Sequence, residues 1–187
     1  MNLLIINCGS RAIKELKQMT TGLGANTTML PIKSLPPASV KKYDGIIISG
    51  SPLMWSKCRK TQLAKFNWVK TCNKPVLGIC FGHQAVALLY GAPIRHGSEL
   101  IKKVFIRLQQ PDPLTQDIKP RALFMQHHEE YVTSPKQFKV IAESSNQYPE
   151  IIKHYKKPVY GVQFHPELSG KNGEIIFKNF FQICKSK

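Results

Sequence analysis

Pro75-Val76-Leu77-Gly78-Ile79-Cys80-Phe81-Gly82-His83-Gln84 runs from a short apolar stretch directly into helix-forming residues, with glycine two positions before and two after the cysteine. That spacing has the form of a nucleophile elbow, a bend between strand and helix too tight for side chains at the flanking positions. It aims the Cys80 sulfur outward at a helix N-terminus. A strand over 75–79 and a helix over 82–90, closed by Gly91, make one βα unit.

The same unit is repeated upstream. Residues 3–8 form a continuous apolar run ending at Gly9-Ser10, and a helix follows over 12–23, with Gly22 and Gly24 as stop signals. Residues 27–32 and 45–49 read as further strands, Pro36-Pro37 as a loop, Gly50-Ser51-Pro52 as a turn and 62–72 as a helix. Strands alternating with helices call for a parallel sheet covered on both faces. After Gly91 the pattern changes to extended segments at 100–108, 121–125, 138–142, 150–154 and 158–164, before an amphipathic helix over 173–184. The expected fold is α/β and flavodoxin-like: one domain over residues 1–187, a central mostly parallel sheet flanked by helices, and an additional small antiparallel sheet.

Composition narrows the function. A chain of 187 residues, 42% hydrophobic, buries roughly two thirds of its unfolded surface without disulfide or metal staples. No apolar run approaches the ~20 residues of a bilayer span, and the start, Met1-Asn2-Leu3-Leu4-Ile5-Ile6, lacks a basic region and a cleavage site, so a cytoplasmic protein with no membrane partner is expected. The net charge of +16 raises the question of a polyanion, yet only five of the 27 basic residues are Arg, the residue suited to bidentate recognition of phosphate and bases. The lysines are spread from Lys14 to Lys187, so a nucleic-acid partner is not expected. Five cysteines, with no C-x-x-C pair, suggest reduced thiols rather than disulfides or a zinc site.

A free thiol is only a few per cent ionised at neutral pH, and each pKa unit of lowering takes about 1.4 kcal/mol. A helix terminus supplies about 0.3–1 kcal/mol, at most about 2, so a catalytic Cys80 needs a base. The segment 159–164 delivers His165-Pro166-Glu167 at a strand's carboxyl end, where open parallel sheets place their sites. Residues two apart in an extended segment point the same way, so Glu167 is placed to steady one nitrogen of His165 while the other faces the sulfur. Nucleophile, base and orienting carboxylate are then Cys80, His165 and Glu167.

Gly-Ile-Cys80-Phe-Gly-His-Gln followed by His165-Pro-Glu resembles the class I, triad-type glutamine amidotransferases, and the resemblance spans nearly the whole chain. Residues 44–52 resemble the family's oxyanion strand and loop, and the tail 158–180 is similar to the glutaminase subunits of archaeal-type GMP synthetases. The resemblance implies that Cys80 attacks the side-chain amide of glutamine, giving a γ-glutamyl thioester and ammonia. It implies oxyanion donors at the backbone N–H groups of Gly50, Ser51 and Phe81. Gln84, one helical turn beyond Cys80, would bind the substrate's α-groups, and Gln126, His127 and His128 would line the glutamine pocket. With no Walker loop or pyrophosphatase signature here, ATP and Mg are expected only on a separate synthetase partner, with no cofactor and no metal on this chain.

Several residues depart from the family pattern. Ser51 stands where Gly-Gly-Pro is usual, so a positive φ there would cost ~1–3 kcal/mol. Asn7 to Arg11 differs from Asp-x-Gly-Ser-Gln, residues 126–130 from Ser-His-x-Asp-Glu, and 169–172 lack the His-Thr of the archaeal subunits. Gly22-Leu23-Gly24 is read as a helix end and turn instead of a dinucleotide fingerprint, and His127-His128-Glu129-Glu130 as a polar loop instead of a metal site. Two rival functions remain: a stand-alone γ-glutamyl hydrolase acting on another amide, and a weakly active or inactive basic binding module. The first is recognised by cleavage of another γ-glutamyl compound far faster than glutamine. The second is recognised by salt-dependent binding that survives Cys80→Ala.

Overall fold

The computed structural model describes residues 1–34 and 37–186. Strand β1 (Asn2–Asn7) carries the run Leu3 to Ile6, all four fully buried, and helix α1 (Ile13–Gly22) returns to the parallel strand β2 (Asn26–Pro31). Pro36 of the expected loop lies outside the described residues, and Pro37 opens a 3-10 segment, Pro37–Lys42. Strand β3 (Gly45–Ile48) then pairs parallel with β1.

Where a helix is expected over 62–72, the chain forms a short α2 (Lys60–Ala64) and then a 3-10 turn, Asn67–Lys70. Phe66, Trp68 and Val69 are all buried. Adjacent and near-adjacent bulky residues cannot share the one stripe that a surface α-helix buries, so packing overrides the helical propensity.

Strand β4 (Val76–Ile79) runs parallel beside β3 and leads through Cys80 into α3 (Phe81–Leu89). Strands β5 (Ile94–Leu108) and β6 (Arg121–Val132) make one long antiparallel hairpin, irregular between His96 and Leu100. The polar loop expected at 127–130 is therefore strand: its backbone groups are satisfied by β5, which pairing of an edge hairpin achieves for polar residues as well as apolar ones. Strands β7 (Phe138–Glu143), β8 (Pro149–His154) and β9 (Val159–Val162) precede the C-terminal α4 (Lys171–Lys185), whose Ile176, Phe177 and Phe180 are fully buried.

All nine strands join one sheet in the order β2-β1-β3-β4-β9-β8-β7-β5-β6. From β2 to β9 the neighbours are parallel, and from β9 to β6 they are antiparallel. The antiparallel strands expected as a separate small sheet thus continue the main one. The sheet curls back on itself at the far edge, because Met125 of β6 bridges to His165 beyond β9, with the His165 N–H donating to the Met125 carbonyl at 2.8 Å. Two cores lie on its opposite faces, one around Ile5, Phe124, Phe164 and α4, the other around Ile48, Phe66, Phe81 and Val86. Among the described residues no helix is long and apolar enough to cross a membrane.

Candidate active site

Cys80 and His165 meet because β4 and β9 are neighbours. Ile79 is in register with Val162, and the Cys80 N–H donates to the Val162 carbonyl at 2.8 Å. Both functional residues then leave the carboxyl ends of strands less than ~5 Å apart. Cys80 has φ 49 and ψ −103, a conformation uncommon for a residue with a side chain. The strain is enforced by close approach: a methyl group on Gly82 would run into the Ile48 carbonyl of β3, and one on Gly78 into the backbone of Gly82 and His83.

The His165 Nδ1 lies 2.8 Å from Glu167 Oε1, and both side chains are buried. Burial alone would lower the imidazole pKa, but hydrogen bonds to Cys80 and Glu167, reinforced by their charges, raise it to about 10. The Cys80 thiol also points at the His127 carbonyl, at 3.6 Å, and receives the Gln163 amide at 3.8 Å. Gln163 escaped the sequence reading, although its place two residues before His165, on the same side of an extended segment, is the signal that finds it.

A cleft of about 330 Å³ opens over the sulfur, lined among others by Ser51, Phe81, His127 and His165. The backbone N–H groups of Ser51 and Phe81 donate to no protein acceptor among the described residues, as an oxyanion site requires. Gly50 packs directly on the His165 ring. Ser51 does not have a positive φ, so the strain expected at this departure is absent; its Oγ instead accepts the Leu53 N–H at 3.2 Å and shapes the turn.

Two expected pocket residues behave differently. Gln126 is fully buried away from the cleft, its amide donating to Glu150 Oε2 at 2.8 Å and its carbonyl oxygen lying 3.1 Å from His128 Nε2. Strand alternation turns it inward while His127 faces the cleft. Gln84 borders the cleft, but its amide nitrogen is committed to the Glu130 carbonyl at 2.7 Å and to Gln163 Oε1 at 3.3 Å. It ties the elbow helix to β6. His128 also borders the cleft, and burial, with His165 and His127 nearby, drives its pKa down to about 4 against a backbone hydrogen bond at Glu130. No group of three or more potential metal ligands occurs among the described residues.

The Glu130 carboxylate is a further component not foreseen. Its oxygens accept the N–H groups of Trp55 and Ser56 at 2.6 and 3.0 Å, and Trp55 stacks on Phe81 with centroids 4.2 Å apart. This clamps the loop after Ser51 onto the residue that follows the nucleophile.

The model of the glutamine amidotransferase class-I family matches residues 4–183. The chain belongs to that family. Among relatives of this amidotransferase, the glutamine-hydrolyzing GMP synthase subunit of Methanosarcina barkeri is 35% identical, over 94% of this chain and 88% of that protein. The protein of the same name from Ignicoccus hospitalis is 31% identical over 99% of each. Two solved structures share the fold: a candidate GMP synthase subunit from Thermoplasma acidophilum, with TM-score 0.91 and 23% identity over all of this chain and 94% of that one, and a glutamine amidotransferase from Thermotoga maritima, with TM-score 0.74 and 16% identity over 100% and 84%. The amidotransferase fold expected from the elbow and the His-Pro-Glu segment is the one observed.

Proposed function

We propose that this amidotransferase hydrolyses glutamine to glutamate and ammonia and passes the ammonia to a separate ATP-dependent synthetase that makes GMP. The observation that carries the reading is the strained Cys80 at the head of α3, facing an imidazole that Glu167 orients, at the floor of an open cleft. The names of its relatives supply the acceptor side.

The chemistry follows from these positions. The Cys80 sulfur, its proton held by His165, bonds to the amide carbon of glutamine, and the carbonyl oxygen takes up negative charge facing the N–H groups of Ser51 and Phe81. The His165 imidazolium then gives its proton to the leaving nitrogen, the carbon–nitrogen bond breaks, and ammonia departs from a γ-glutamyl thioester. Neutral His165 next takes a proton from water, hydroxide adds to the thioester carbon, and the carbon–sulfur bond breaks to release glutamate. Glu167 fixes the ring throughout. This chain needs no cofactor for these steps; ATP and Mg belong to the synthetase.

Ammonia release by the purified chain, measured alone and with the synthetase, ATP and the acceptor nucleotide, tests the reading. Cys80→Ala and His165→Ala are expected to abolish release, and a glutamine-like chloroketone to label Cys80. Full activity in Cys80→Ala, or cleavage of another γ-glutamyl amide far faster than glutamine, would overturn it.

A further inference from the structure

The β5–β6 hairpin carries a second groove, of about 530 Å³, at the end remote from the cleft. Arg107 and Arg121 are direct cross-strand partners. Like charges directly opposite in a sheet repel, and neither guanidinium lies within ion-pair distance of a carboxylate among the described residues. Glu143 pairs with Arg107 across β7 and lines the groove, but it is one carboxylate against two guanidinium groups.

The rest of the groove suits an anion with a polar body. The Arg121 guanidinium lies over the Phe105 ring, 4.1 Å from its centroid, so stacking fixes its plane and leaves its N–H edge available. Phe105 is 43% exposed. Ser144, Ser145 and Gln147 also line the groove, in a turn closed by three hydrogen bonds, with Gln147 at φ 60. Two of the five arginines in a Lys-rich chain line this groove, and a guanidinium is the side-chain group suited to bidentate hydrogen bonding of phosphate.

We propose that this groove binds a small organic phosphate monoester, its phosphate between Arg107 and Arg121 and its polar body against Ser144, Ser145 and Gln147. Arg121 and His127 are six residues apart on β6, roughly 20 Å, so the site is distinct from the cleft and independent of the glutaminase reading.

The test is a calorimetric titration of the full chain with ribose 5-phosphate, GMP, inorganic phosphate, ribose and a short single-stranded oligonucleotide. Ribose 5-phosphate and GMP are expected to bind in the micromolar to low-millimolar range, tighter than inorganic phosphate, with ribose silent. Arg107→Gln and Arg121→Gln should each weaken binding by about tenfold or more, and Arg121→Lys should not restore it. Unchanged thermal melting and unchanged ammonia release in these variants exclude misfolding as the cause. Absence of binding by both monoesters, unchanged binding in Arg107→Gln and Arg121→Gln, or a marked preference for the oligonucleotide would each overturn the proposal.

Discussion

The imidazole of His165 rests on Gly50: a side-chain carbon built at Gly50 would lie 2.9 Å from His165 Cε1. The oxyanion turn and the base are therefore positioned by mutual contact, with Glu167 holding Nδ1 of the same ring at 2.8 Å. Gly50→Ala is expected to displace the ring and lower kcat for ammonia release by about ten- to a hundredfold, with KM for glutamine changed much less. Steady-state kinetics of the variant check this, and a normal kcat would refute the contact's importance.

The elbow strain at Cys80 gives a stability prediction. At φ 49 a glycine is comfortable and an alanine is not, so Cys80→Gly should be more stable than Cys80→Ala by about 1–3 kcal/mol, although both are inactive. Denaturant melts of the two variants measure the difference; equal stabilities would mean that the backbone at 80 is relaxed.

Glu167→Gln should leave a small residue of activity, since the nucleophile remains while ring orientation and charge are weakened. Cys80 and Glu167 together set a pH dependence at His165. His165 is raised from 6.5 to about 10 in the folded chain, so its contribution to stability is fully present below 6.5 and is lost as pH rises through about 10. Thermal melting should therefore fall from neutral pH toward 10 in the wild type more steeply than in Glu167→Gln.

Glu150 is a buried carboxyl whose environment favours its protonated form. Burial raises it to about 7 against a lowering hydrogen bond from Gln126. Between the ordinary carboxyl range and pH 7 the folded chain holds a proton that the unfolded chain has released, so stability falls as pH rises across that window. Glu150→Gln keeps the shape and should abolish this slope, melting higher than wild type above pH 7. A steeper slope in the variant would refute the assignment.

The Glu130 clamp predicts coupling between loop and nucleophile. Glu130→Ala leaves two N–H groups without their acceptor and should cost about 1–3 kcal/mol, while loosening the loop that carries Ser51. Hydrogen exchange at Trp55 and Ser56 should rise in the variant, and ammonia release should fall.

The local pattern of residues was enough for the βα units, the elbow and the strand-end His-Pro-Glu segment, because hydrophobic periodicity, glycine spacing and strand alternation are properties of neighbouring residues. It misjudged residues 62–72 and 127–130, where burial of Phe66, Trp68 and Val69 and pairing with β5 outweigh local preference. The pairing of β4 with β9, and hence the meeting of Cys80 with His165, was decided by the tertiary fold. So were the internal duties of Gln84 and Gln126, the clamp at Glu130 and the unstrained Ser51. The duties of Gln84, Gln126 and Glu130 depend on which distant group each side chain reaches once the sheet has closed, and no spacing along the chain encodes that.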